Sequence, residues 1–127
     1  MTIAASGLAA DAQWLDAIAS NVANMNDQSA LPSQGGSYSG YRPVNVQMSA
    51  NVTGGVTAQI EPLTPSYSAV SDPSAPLANA QGLIAVPNVD LATAIVDQNL
   101  ALASYRANAD VFRTAMQMTK TLLDTVA

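Results

Sequence analysis

The acidic side chains are the main stock of reactive groups in this chain, and they stand singly, at Asp11, Asp16, Asp27, Glu61, Asp72, Asp90, Asp97, Asp110 and Asp124. Carboxylate acid–base catalysis needs two such groups held together in environments that push their pKa values apart. Asp90 and Asp97 lie one heptad apart and can share a helix face. Two carboxylates on a solvated face are far more often a solubility device than a catalytic pair. Histidine and cysteine are absent, so the usual general base and the soft metal ligands are both missing. Ser and Thr are plentiful but have no partner base. Ser6-Gly7 and Gly35-Gly36 do not make a phosphate loop, because no Lys follows at the required distance. These residue types argue against an enzyme and imply no catalytic, cofactor-binding or metal-binding residue.

What remains is hydrophobic chemistry, and it is concentrated at the two ends. Between Asp90 and Val126, alternating steps of four and three residues meet Leu91, Ile95, Gln98, Leu102, Tyr105, Ala109, Phe112, Met116, Thr119, Leu123 and Val126. That spacing places them on one stripe of a helix that must lie against another helix. No Gly or Pro interrupts it. At 1.5 Å per residue it would run about 55 Å, whereas a globule of this length is about 35 Å across. The long helix therefore projects, or packs against copies of itself and its relatives.

Residues 2 to about 25 carry the same spacing through Met1, Ala4, Leu8, Asp11, Leu15, Ile18, Val22 and Met25, with Asp11 the one charged intruder. Gly7 weakens the first turns by about 1 kcal/mol relative to Ala, so firm helix is expected only after it. Trp14 stands beside the stripe, and Asn24 to Asp27 supply side chains that stop a helix. The two stripes can pair with each other, parallel or antiparallel, as a self-contained core. Against that, the second helix is about half as long again as the first, and two helices alone make a thin core.

The expected architecture is mainly α. It has an N-terminal helix over 1–26, an irregular middle with short strands over 27–89 and a long C-terminal helix over 90–127. All seven prolines and six of the seven glycines fall in the middle. Residues 28–40 read as a flexible loop, Tyr41–Met48 and Val52–Ile60 as strands of a hairpin closed near Asn51–Gly55, and Leu83–Val86 as a further strand. Pro62 to Pro76 reads as extended or turn. Asn88 or Asp90 caps the last helix.

Composition narrows the function. Apolar residues make up 49% of the chain but aromatics only 5%, and charged residues 10%, well below the roughly 25% of an ordinary soluble domain. Either partners cover much of the surface, or it is unusually rich in Ser, Thr, Asn and Gln. The net charge of −5 and the scattered Arg42, Arg106, Arg113 and Lys120 exclude a basic patch for nucleic acid. No polybasic or lipidation signal points to a membrane, and no apolar run is long enough to span one. Asp11 and Asp16 interrupt the N-terminal apolar stretch, which also lacks a basic start, so it does not read as a cleaved secretory signal.

The ends of the chain also carry motifs. Leu15-Asp16 followed by Ile18-Ala19-Ser20-Asn21-Val22-Ala23-Asn24 resembles the N-terminal signature of bacterial flagellar axial proteins, I-A-x-N-[IV]-A-N. Tyr105-Arg106-Ala107-Asn108, with Phe112 and Thr114-Ala115 beyond it, resembles their C-terminal counterpart. The stretch from Asp72 to Asp90, ending Pro87-Asn88-Val89-Asp90, is similar to the junction of the proximal rod members. The chain departs from them at Asn26-Asp27, in keeping only Arg42 of a basic cluster, and in a loop over 27–40 rich in Ser and Gly instead of charge.

The resemblance implies a structural subunit of the basal-body rod. Such subunits are exported unfolded by the type III apparatus without a cleaved signal. They order their terminal helices on assembly into a tube around a channel and transmit torque across the periplasm. The implied partners are copies of itself and other rod, hook-side and basal-body proteins, with no nucleic acid and no direct membrane insertion. The implied assembly residues are Leu8, Leu15, Ile18, Asn21, Val22, Asn24, Leu91, Ile95, Leu102, Tyr105, Asn108, Phe112, Met116 and Leu123. Ala94, Ala101 and Ala107 would permit close approach of helices. Asn21, Asn24 and Asn108 can be caps or side-chain hydrogen bonds within a helical interface, or equally exposed helix-end residues. The competing reading of the same stripes is a self-contained coiled-coil adaptor or export-chaperone module.

Overall fold

In the computed structural model, which describes residues 1–33 and 36–126, the alanine-rich ends form the two helices. Helix α1 spans Thr2–Ala23 and helix α2 spans Leu91–Val126. Between them lie strands β1 (Val44–Ala50), β2 (Val56–Pro62), β3 (Tyr67–Ser71) and β4 (Leu83–Pro87). Gln34 and Gly35 of the expected loop, and Ala127 at the end of the expected helix, lie outside the described residues.

The helices pair antiparallel. Gly7 lies against Asn108, and Asp11 bonds Ser104. At this register Met1 falls opposite about residue 114, and residues 115–126 run on past it as roughly 18 Å of unaccompanied helix. The face of α2 turned to α1 is Ala94, Asp97, Ala101, Ser104 and Asn108, all buried or half-buried. This is one residue out of step with the expected bulky stripe. The cause is steric: Ala4, Gly7 and Asp11 on α1 are buried in the seam, and small side chains on both helices allow a closer approach than facing leucines would. Gly7 does not delay the helix, as its propensity alone suggests; it lies buried within α1 because a Cβ there would stand 2.7 Å from the Asn108 amide.

A second seam of α1, through Ser6 and Asn21, holds the β1–β2 hairpin. The strands are antiparallel from Val44↔Pro62 to Ala50↔Val56. Asn51 to Gly55 closes them, with Gly54 and Gly55 at positive φ, 89° and 92°, a backbone that favours glycine. At one end Val56 N–H donates to Ser6 Oγ (3.1 Å). At the other, the Asn21 amide pairs with both polar groups of Val44. Ser6 to Asn21 is about 22 Å of helix, and a seven-residue strand such as β1 is about 23 Å long. The two elements match in length and lie side by side.

The proline-rich segment holds more order than its composition predicts. β3 pairs antiparallel with β4 from Tyr67↔Pro87 to Ser71↔Leu83. On the other side of β4, Ser29 exchanges two backbone hydrogen bonds with Ala85. Tyr38 is buried and stacks on Tyr67 with ring centroids 4.7 Å apart. The stretch read as a free loop is thus tied down on both sides of its glycines. One aromatic ring and one bridge do this, and neither makes a periodic pattern.

Candidate assembly surface

The α1–α2 seam carries a polar lock. Asp11 is only 2% exposed. Its Oδ2 accepts from Asn108 Nδ2 (2.8 Å) and from Ser104 Oγ (3.1 Å). A carboxyl group buried among alanines would be costly without such donors. No ion pair reaches it among the described residues. Because only one alignment of the helices brings Asp11 to both donors, the lock fixes the register and with it the length of the α2 overhang.

Asn21 and Asn24, at the end of the N-terminal motif, are engaged inside the chain. Asn21 Nδ2 donates to Val44 O (2.7 Å), and its Oδ1 accepts from Val44 N (3.0 Å) and Tyr41 Oη (3.0 Å). The amide copies a strand's edge and seats β1. Asn24 Nδ2 returns to Ser20 O at 2.8 Å, finishing the helix. Ile18 is buried, while Leu8, Leu15 and Val22 are half-buried along one side of α1.

On α2 the residues divide. Asn108 belongs to the lock, and Leu102 and Phe112 are half-buried at the edge of the seam. Leu91, Ile95, Tyr105, Met116 and Leu123 remain exposed, from 39% at Tyr105 to 66% at Leu123. Together these form one apolar flank beside the α1 contact. Val96, Leu100, Val111, Met118 and Leu122 form another on its opposite side, also exposed, and they were not singled out from sequence. Their signal was present as a second series with steps of 4, 11, 7 and 4 residues, hidden behind the more regular first one. A helix apolar over so much of its circumference belongs in a buried position, yet α1 covers only one sector. Ala94 and Ala101 meet α1 within the chain, whereas Ala107 stays exposed.

The first turns of α2, the C-terminal half of α1 and the start of β1 enclose a groove of about 400 Å³. Trp14, Val46, Leu63 and Val89 supply apolar lining, and Asp90 and Asp97 line it with charge. Asp90 caps α2 by accepting from Ala92 N (2.9 Å) and Thr93 Oγ1 (2.8 Å). The Thr93 hydroxyl first, and then the Ala92 amide, hold its carboxyl below its ordinary value of 3.8. Asn88 does not share the cap; it bonds Pro65 O instead. Asp97 is half-buried and has no hydrogen-bond or ion-pair partner among the described residues. Among those residues there is also no cluster of three acidic side chains that could hold a metal, and no helix long and apolar enough to cross a membrane.

Comparison with known proteins bears on what such a surface is for. Residues 1–26 match the family described as Flagella basal body rod protein. The flagellar basal-body rod protein FlgC of Bacillus subtilis strain 168 is 32% identical over 97% of this chain and 91% of its own length. The proteins of that name from Salmonella typhimurium LT2 and Escherichia coli O157:H7 are 38% and 37% identical, each over 91% of this chain and 87% of their own length.

Proposed function

The chain belongs to the FlgC family of flagellar basal-body rod proteins, and from that premise we propose that its two terminal helices are the surfaces through which it assembles. It is a structural subunit of the basal-body rod, serving motility, and it works with other basal-body components. In the finer reading it is a proximal rod subunit. The helices build a tube around a channel and carry torque across the periplasm, and the unfolded chain leaves the cell through the type III apparatus with no cleaved signal. Copies of itself and neighbouring rod and hook-side subunits are its partners. Relatives that are rod proteins disfavour the adaptor or chaperone alternative.

One observation supports this reading above the rest. The longest element among the described residues, α2, presents apolar side chains on both sides of its contact with α1. Association with further helices would remove that surface from water, at about 25 cal/mol per Å², and would offset the cost of ordering the ends. Contacts of this kind do not close on themselves and so generate a helical array.

Deleting the chain from its own organism should abolish flagella and swimming, and normal motility in the deletion strain would reject the role. Circular dichroism of the purified monomer over a range of concentrations tests the coupling of order to assembly. Helicity should rise with concentration. Concentration-independent helicity, with both termini resistant to protease, would reject the coupling.

A further inference from the structure

The groove beside β1 and the overhang of α2 lie at opposite ends of the helix pair, and each lacks what the other has. The groove offers apolar walls at Trp14, Val46 and Leu63 together with Asp97, which has no partner among the described residues. On the overhang, Met116, Lys120 and Leu123 fall at i, i+4 and i+7, so they share one helix face with a cation between two apolar side chains. All three are exposed, and Lys120 has no ion pair among the described residues. Arg113, one heptad before Lys120, repeats the spacing of Asp90 and Asp97.

We propose that the α2 overhang of one copy of this chain docks in the groove of a second copy. Met116 and Leu123 enter its apolar walls and Lys120 pairs with Asp97. The inference rests on the rod reading and deepens it, since it names which surface receives the unaccompanied end of the helix. The register set by the Asp11 lock leaves residues 115–126 free, so the projecting length is fixed before assembly. Once docked, both partners of the charge pair are flanked by apolar side chains, which raises the value of the pair over one in open water. Tail and groove are about 39 Å apart along α2, so each added copy presents a fresh groove or tail. The contact therefore propagates as an open row and does not end at a pair.

Charge exchange tests the contact in cells that build basal bodies from the full chain. Lys120→Asp alone and Asp97→Lys alone should each lower the amount of the chain in isolated basal bodies by about tenfold, and the double exchange should restore most of it. The chain has no cysteine, so Thr93→Cys in the groove and Thr119→Cys on the overhang provide a second, independent readout. With both substitutions in one chain, mild oxidation of isolated basal bodies should give a ladder of linked copies. Basal bodies that contain the chain but yield no ladder, together with no rescue by the double exchange, would overturn the groove contact and leave the rod assignment standing. A product that stops at a dimer would overturn the open row. Absence of the unaltered chain from basal bodies would instead overturn the rod reading itself.

Discussion

At the residue scale the decisive position is Gly7. Helix propensity favours Gly7→Ala by about 1 kcal/mol, but the new methyl would stand within 3 Å of the Asn108 side chain, which is held by Asp11. Overpacking of this kind costs about 1–3 kcal/mol, so Gly7→Ala should be destabilising in urea unfolding followed by helical circular dichroism. Pairing it with Asn108→Ala should recover part of the loss, because the clash then has no second party. Asp90 supplies a pH test. Its folded carboxyl is held below the ordinary value of 3.8 by Thr93 and Ala92, so the cap contributes fully above that value and is lost as pH falls through the depressed one. Helicity of the first turn of α2 should persist at pH 3.8 and fall only as pH drops further, and the Asp90→Asn variant should lack that dependence. Asp11 was visible in the sequence as a charge on an apolar stripe. Its donors Ser104 and Asn108 were not, because nothing in a periodic pattern says which residues of the opposite helix face it.

At the element scale, the two helices were legible in the sequence, except that α1 starts at Thr2 and not after Gly7. A prolonged apolar period survives any tertiary arrangement, and proline and glycine mark where it stops. The β1–β2 hairpin was legible too, since alternation flanked the Gly54-Gly55 turn. β3 was not: Pro62 to Pro76 reads only as extended or turn, and neither the pairing of β3 with β4 nor the stacking of Tyr67 on Tyr38 from a distant loop leaves a periodic pattern. The face of α2 that meets α1 within the chain was not singled out in the sequence, because hydrophobicity ranks leucine above alanine. Close helix packing selects the smaller side chain. Asn21→Ala should cost about 1–3 kcal/mol, by leaving both polar groups of Val44 without their partners. Hydrogen exchange should show β1 amides losing protection while the α1–α2 pairing persists.

For the whole molecule, the apolar flanks of α2 set the expectation. Leu102→Asp or Phe112→Asp places a charge at the edge of a helical contact, where desolvation is unfavourable, and either variant should fail to enter basal bodies. Unchanged incorporation of either would count against the flank as a contact. The hairpin has a mechanical consequence of its own. It is fastened to α1 at Ser6 and at Asn21, about 22 Å apart along the helix. A single helix flexes readily, but one splinted at two points can bend only if a fastening shears or the splint stretches. An extended strand has almost no slack to give. Flexure of α1 is thereby turned into strain across the paired strands β1 and β2, and the subunit behaves as a braced strut, suited to passing on rotation without winding up.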